Sequence, residues 1–148
     1  GLAAVALSFA GAINYVQAFV LICLSVVFDY LDGKVARKTS STDDFGKQID
    51  SLCDLASFGI SAPLIAAWFY PSQLPLTAFG IVVFASAGAV RLARFNLQEE
   101  KGVFFGLPIP AAAILLLLAV PFLSGYSFIA FLALGLLMVS NFRISKVL

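Results

Sequence analysis

Histidine is absent from the 148 residues, and cysteine occurs only twice, at Cys23 and Cys53. Without histidine or a Cys-x-x-C pair, a zinc or haem centre has almost no ligands to draw on. Both cysteines fall in apolar helical sequence, where buried free thiols are expected. Charge is scarce as well: 11% of residues are charged, against roughly 25% in ordinary globular chains. With 61% hydrophobic residues and a mean hydropathy of +1.03, this is not the composition of a soluble domain. A net charge of +1 argues neither for nor against nucleic acid, but a mostly lipid-embedded surface argues against it as a partner. No basic n-region of a signal peptide precedes the first apolar run. That run begins at once with Gly1, so a single domain over 1–148 is expected, incomplete at its N-terminus.

What is abundant is uncharged sequence of membrane-spanning length. Residues 1–28 carry no charge, and Asn14, Tyr15 and Gln17 mark an interfacial break within them. A truncated first helix is expected to end near Ala12, with a second from about Asn14 to Arg37. At 1.5 Å per residue the second spans roughly 36 Å, enough for a hydrocarbon core of about 30 Å and an extension beyond it. The polar loop Lys-Thr-Ser-Ser-Thr-Asp-Asp follows, with Asp43 or Asp44 suited to capping the next helix. A third helix is expected from about Phe45 to Tyr70 and a fourth from Leu74 to about Asn96. Two shorter apolar helices, Pro110–Leu123 and Phe128–Val139, complete the chain. The fold class is therefore an all-α polytopic membrane bundle of six transmembrane helices.

The placement of charge fixes the expected orientation. Lys34, Arg37, Lys38, Lys47, Arg91, Arg94, Lys101, Arg143 and Lys146 all fall on one side of this layout. The alternate turns, Tyr-Pro-Ser-Gln-Leu-Pro and Leu-Ser-Gly-Tyr-Ser, have none. The positive-inside rule makes the charged side cytoplasmic. All eight acidic residues share that side.

Six of those eight lie between Phe28 and Asp54. On a helix, Asp29, Asp32, Gly33, Ala36 and Arg37 cover an arc of about 140°, and Gly46, Asp50 and Asp54 one of about 80°. A short loop makes the two helices antiparallel neighbours, so the two acidic faces can meet at the cytoplasmic boundary of the membrane. Four carboxylates held so close need cations to stay ionised together. Oxygen ligands alone suit Mg²⁺ or Mn²⁺, with Ca²⁺ a further option. Two ions sharing a carboxylate suit phosphoryl transfer. Carboxylates at helix ends are often solvated caps, the expectation for Asp43 and Asp44. For Asp29, Asp32, Asp50 and Asp54 that reading fails, because intramembrane acids are costly and usually functional. Gly33, Ala36 and Gly46 either let helices approach closely or leave room for a flat group. Arg37 either clamps a phosphate or anchors the helix end.

Asp29-x-x-Asp32-Gly33-x-x-Ala36-Arg37, eight residues, then Gly46-x-x-x-Asp50-x-x-x-Asp54 resembles the complete signature of the CDP-alcohol phosphotransferase family. Asp50–Gly59, Arg91–Asn96 and Phe104–Ala113 are similar to its phosphatidylserine synthase branch. The resemblance implies six transmembrane helices, a homodimer, and transfer of a phosphatidyl group from a CDP-lipid to the L-serine hydroxyl with release of CMP. It implies that Asp29, Asp32 and Asp50 hold one divalent ion and that Asp50 and Asp54 serve a second. Asp32, Gly33, Ala36, Arg37 and Gly46 would contact the CDP moiety, and Asp54 would be the general base. Arg91, Arg94 and Asn96 are assigned to the serine. The arginines lie about 60° apart on one helix, and a guanidinium suits a carboxylate; positive-inside anchoring is the other reading of both.

Glycerophosphate, inositol phosphate and choline are alternative acceptors. Both a diacylglycerol and an archaeol lipid fit the same apolar helix faces. A cation transporter is the alternative of another class, but it would want acids at mid-membrane depth on several helices.

Overall fold

The computed structural model describes residues 1–38, 44–71, 73–97, 104–123, 125–140 and 143–144. Its helices are α1 (Leu2–Phe9), α2 (Tyr15–Lys38), α3 (Asp44–Asp54), α4 (Ser61–Phe69), α5 (Leu74–Leu97), α6 (Ile109–Ala119) and α7 (Ser127–Val139). Three stretches are long and apolar enough to cross a membrane: Tyr15–Lys34, Phe45–Phe69 and Leu74–Leu97. Ile109–Leu123 and Ser127–Val139 are shorter apolar helices. The chain is an integral membrane helix bundle.

The break within the first 28 residues is built from two local signals. Gly11 takes φ +66°, and the amides of Gly11 and Ala12 donate back to the carbonyls of Ser8 and Leu7, both at 3.0 Å. This is a left-handed glycine stop that satisfies the end of α1. Asn14 and Gln17 then form a reciprocal cap: each backbone N–H donates to the other's side-chain oxygen at 3.0 Å. Such a capping box fixes the start of α2. The first helix therefore ends three residues earlier than the expected Ala12, while the second starts within one residue of its expected position.

The third span is not a uniform α-helix. Leu55–Ile60 is a π-helical turn between α3 and α4. Pro63 cannot donate to the carbonyl of Gly59, and its ring crowds that carbonyl, so the helix widens just before it. Ser61 stabilises the wide turn, its hydroxyl donating to the Ala56 carbonyl five residues back at 2.8 Å.

The core gathers Ile22 of α2, Ile65 and Ala66 of α4, Phe84 of α5, Leu116 of α6 and Phe131 of α7, all fully buried. Among the described residues the most extensive helix–helix packing is between α5 and α7. Gly80 lies under the Phe131 ring there, and a Cβ on Gly80 would stand 2.7 Å from the Phe131 Cδ2. Large apolar side chains such as Val16, Val20, Leu24 and Val27 of α2 remain exposed, as a lipid-facing surface requires. After the fourth span, Phe104–Phe105 (β1) pairs antiparallel with Arg143–Ile144 (β2). Gly106, at φ +72°, turns the chain from β1 towards α6, where a Cβ would collide with the Met138 carbonyl. This two-residue ladder is the one departure from an all-helical chain among the described residues.

Candidate active site

Four aspartates from two helices converge on one cavity. Asp29 and Asp32 come from the C-terminal half of α2, Asp50 and Asp54 from α3, and all four line a cavity of about 420 Å³. Spacing explains the convergence, since residues three and four apart share a helix face. The carboxyl groups of Asp29 and Asp54 approach within hydrogen-bonding reach of each other. Asp50 stands near enough to both Asp29 and Asp32 for their charges to interact. Like charges hold such separations only with a proton or a cation between them.

Deeper along the same helices the wall turns apolar, with Phe28 and Phe58, and carries the hydroxyls of Ser25 and Ser57. The cavity is thus amphiphilic.

Gly46 lines the cavity beside the acids. Among the described residues, and apart from the local helix backbone, no heavy atom lies within 4 Å of where a Cβ would stand on Gly33 or Gly46. Close helix packing therefore does not demand glycine at either position, and the room beside them is open. The side chains of Ala36, Arg37 and Asp44, together with Asp43, Lys101 and Lys146, lie outside the described residues.

The donor set is all oxygen, which fits Mg²⁺ or Mn²⁺ in its chemistry. Among the described residues no three carboxylates close into a finished ligand shell. What exists is a set of acids around a common space rather than a tight cage.

The residues assigned to the acceptor divide. Arg91 of α5 is half-buried and lies close enough to Asp54 for their charges to interact, and its Nε is buried without a hydrogen-bond partner among the described residues. Arg94 is turned elsewhere: its Nη1 donates to the Val139 carbonyl at the end of α7, at 3.0 Å. The Asn96 amide donates to the Ser51 hydroxyl at 3.0 Å. Sequence spacing put the two arginines on one face but could not show that α7 ends beside one of them.

Cys23 and Cys53 are both free, yet Cys53 is exposed and lines the cavity, contrary to the expected burial. Standing three residues after Asp50, it shares the acidic face.

The profile of the CDP-alcohol phosphatidyltransferase family matches residues 2–141. The chain is 42% identical over 132 residues to a CDP-diacylglycerol–serine O-phosphatidyltransferase of Methanocaldococcus jannaschii, covering 88% of this chain and 64% of that protein. It is 39% identical over 149 residues to the enzyme of the same name from Helicobacter pylori, covering 91% of this chain and 63% of the relative. An archaetidylserine synthase of Methanothermobacter thermautotrophicus is 40% identical over 120 residues, or 77% of this chain and 49% of the relative. The chain thus spans less than two thirds of the length of these relatives. Matched over nearly its whole length and bearing the full aspartate signature on one cavity, the chain belongs to the CDP-alcohol phosphatidyltransferase family.

Proposed function

We propose that the protein transfers a phosphatidyl group from a CDP-lipid to the hydroxyl of L-serine and releases CMP. The observation that carries this reading is the convergence of Asp29, Asp32, Asp50 and Asp54 on one amphiphilic cavity. The printed activities of the relatives support serine as the acceptor. A diacylglycerol lipid and an archaeol lipid are both represented among those names.

Two divalent ions, Mg²⁺ or Mn²⁺, held by the four aspartates would neutralise the lipid's diphosphate and stabilise charge on the departing CMP. Gly33, Ala36 and Gly46 form the floor under the cytidine, with Asp32 beside it, and Arg37 meets the diphosphate. Asp54 accepts the proton of the serine hydroxyl. The serine oxygen then bonds to the lipid-bearing phosphorus, and the bond from that phosphorus to the CMP oxygen breaks. Proximity makes a carboxylate adequate as a base here, because the hydroxyl is held against its target.

Arg91 receives the serine carboxylate. Its buried Nε, without a hydrogen-bond partner among the described residues, and its charge interaction with Asp54 support that assignment. Arg94 and Asn96, already bonded to Val139 and Ser51, support this site from α5 rather than forming it. The reaction takes place at the cytoplasmic face, as the one-sided charge distribution supports, in a homodimer, as the family resemblance supports.

The test is CMP release by the purified protein with a CDP-lipid and Mn²⁺. Serine, glycerol phosphate, inositol phosphate and choline are offered in parallel. Serine should be used at least tenfold faster than any other acceptor. Faster turnover with another acceptor would reassign the substrate, and no release with any would refute transfer.

A further inference from the structure

The helix that carries Asp50 and Asp54 is poorly held. From Phe45 to Asp50 every residue is exposed, and Leu52 and Cys53 are exposed too. Apart from its own continuation, α3 has its main described contact with α5. That contact is polar and runs in antiparallel order. Asn96 Nδ2 donates to Ser51 Oγ at 3.0 Å, and the Ser51 hydroxyl lies 3.4 Å from Asn96 Oδ1 and 3.0 Å from the Lys47 carbonyl. The two helices therefore meet at one hydrogen-bonded polar rung, Ser51 with Asn96, and one turn deeper the charges of Asp54 and Arg91 interact.

Rotation is what such a helix must control. A turn of one residue position is about 100°, enough to carry Asp50 and Asp54 from the cavity to lipid. Ser51 lies about 60° from Asp54 around the helix, so fixing Ser51 fixes the acidic face. The π turn below breaks the regular α-helical register, so it does not by itself fix the rotation of α3. No apolar side chain of α3 is buried to help.

We propose that Ser51 and Asn96 form a positioning pair that sets the rotation of α3, holding Asp50 and Asp54 towards Asp29 and Asp32. Neither residue touches the reacting atoms. This rests on the reading of the four aspartates as ligands for divalent ions.

The test measures Mn²⁺ binding by the purified protein, from the EPR signal of free Mn²⁺, alongside CMP release. Wild type should bind Mn²⁺ and Asp50→Asn should lose it; if wild type binds none, the metal reading itself fails. Given binding, Ser51→Ala and Asn96→Ala should each weaken Mn²⁺ affinity at least fivefold and lower kcat, with the serine KM changed less than twofold. The double alanine variant should be no worse than the poorer single one. The exchange Ser51→Asn with Asn96→Ser should recover most of the affinity. Wild-type Mn²⁺ affinity in both alanine variants would overturn the proposal. So would a rise in serine KM for Asn96→Ala alone, since that makes Asn96 an acceptor ligand. A fall in thermal stability with unchanged Mn²⁺ affinity would reduce the pair to ordinary packing.

Discussion

The hydroxyl of Tyr15 donates to the carbonyl of Leu117, bridging the start of α2 to the end of α6. In a continuing helix that carbonyl would accept from the N–H of residue 121, but residue 121 is proline. Tyr15 supplies the donor that Pro121 lacks. Its ring is clasped edge-on by Phe69 and Tyr70, with centroids at 5.5 and 5.0 Å. Tyr15→Phe should therefore cost about 1–3 kcal/mol, the range for stranding a buried acceptor. In a Pro121→Ala background, where an N–H becomes available, the same change should cost less than half as much. Thermal unfolding of the four proteins in detergent gives the cycle; equal costs in both backgrounds would disconnect Tyr15 from the proline.

The two arginines of α5 should behave differently. Arg94 pairs with the C-terminus of α7, a helix-end contact worth about 1 kcal/mol. Arg94→Ala should lower stability by that amount and leave the serine KM within about twofold. Arg91→Ala should raise the serine KM at least tenfold, about 1.4 kcal/mol, with little change in the KM for the CDP-lipid. Arg91→Lys should recover only part, because an ammonium replaces a planar fork. Equal losses for lipid and serine would move Arg91 to the diphosphate.

Much of this site could be read from the sequence, and the reason is geometric. Spacings of three and four determine which residues share a helix face, so Asp29 with Asp32 and Asp50 with Asp54 were bound to lie on common faces. Hydropathy alone bounded α2 and α5 to within a residue or two. The π turn at Leu55–Ile60 was missed, although Pro63 four residues after Gly59 was its signal. The bond of Arg94 to Val139 and that of Asn96 to Ser51 could not be foreseen. Each joins residues 45 apart in sequence, and such partners depend on how whole helices pack. Cys53 was expected among buried apolar neighbours because its run is apolar, yet its position three residues after Asp50 already put it on the cavity side.

Gly46 offers a test of the cytidine floor that is free of packing effects. With open space where its Cβ would be, Gly46→Ala should not clash within the protein. Stability should stay level or rise by about 1 kcal/mol, since glycine is a poor helix former. The KM for the CDP-lipid should rise at least tenfold. An unchanged KM would mean that the space beside Gly46 is not used by substrate.

Orientation can be measured directly. In a background lacking Cys23 and Cys53, single cysteines at Thr42 and Gln98 should react with an impermeant thiol reagent only from the cytoplasmic side. One at Gln73 should react only from the opposite side. Labelling of all three from one side would contradict the six-helix layout.

The central claim is that the four clustered aspartates perform the transfer, and the most direct measurement is CMP release after single Asp→Asn changes. Substitution at Asp29, Asp32, Asp50 or Asp54 should lower turnover at least a hundredfold, about 2.7 kcal/mol of barrier. The protein should stay folded, and without metal its thermal stability should hold or rise as like charge is removed. Asp43→Asn, at a residue whose sequence position suits a solvated helix cap, should turn over within a few-fold of wild type. Normal turnover by Asp50→Asn would contradict the account.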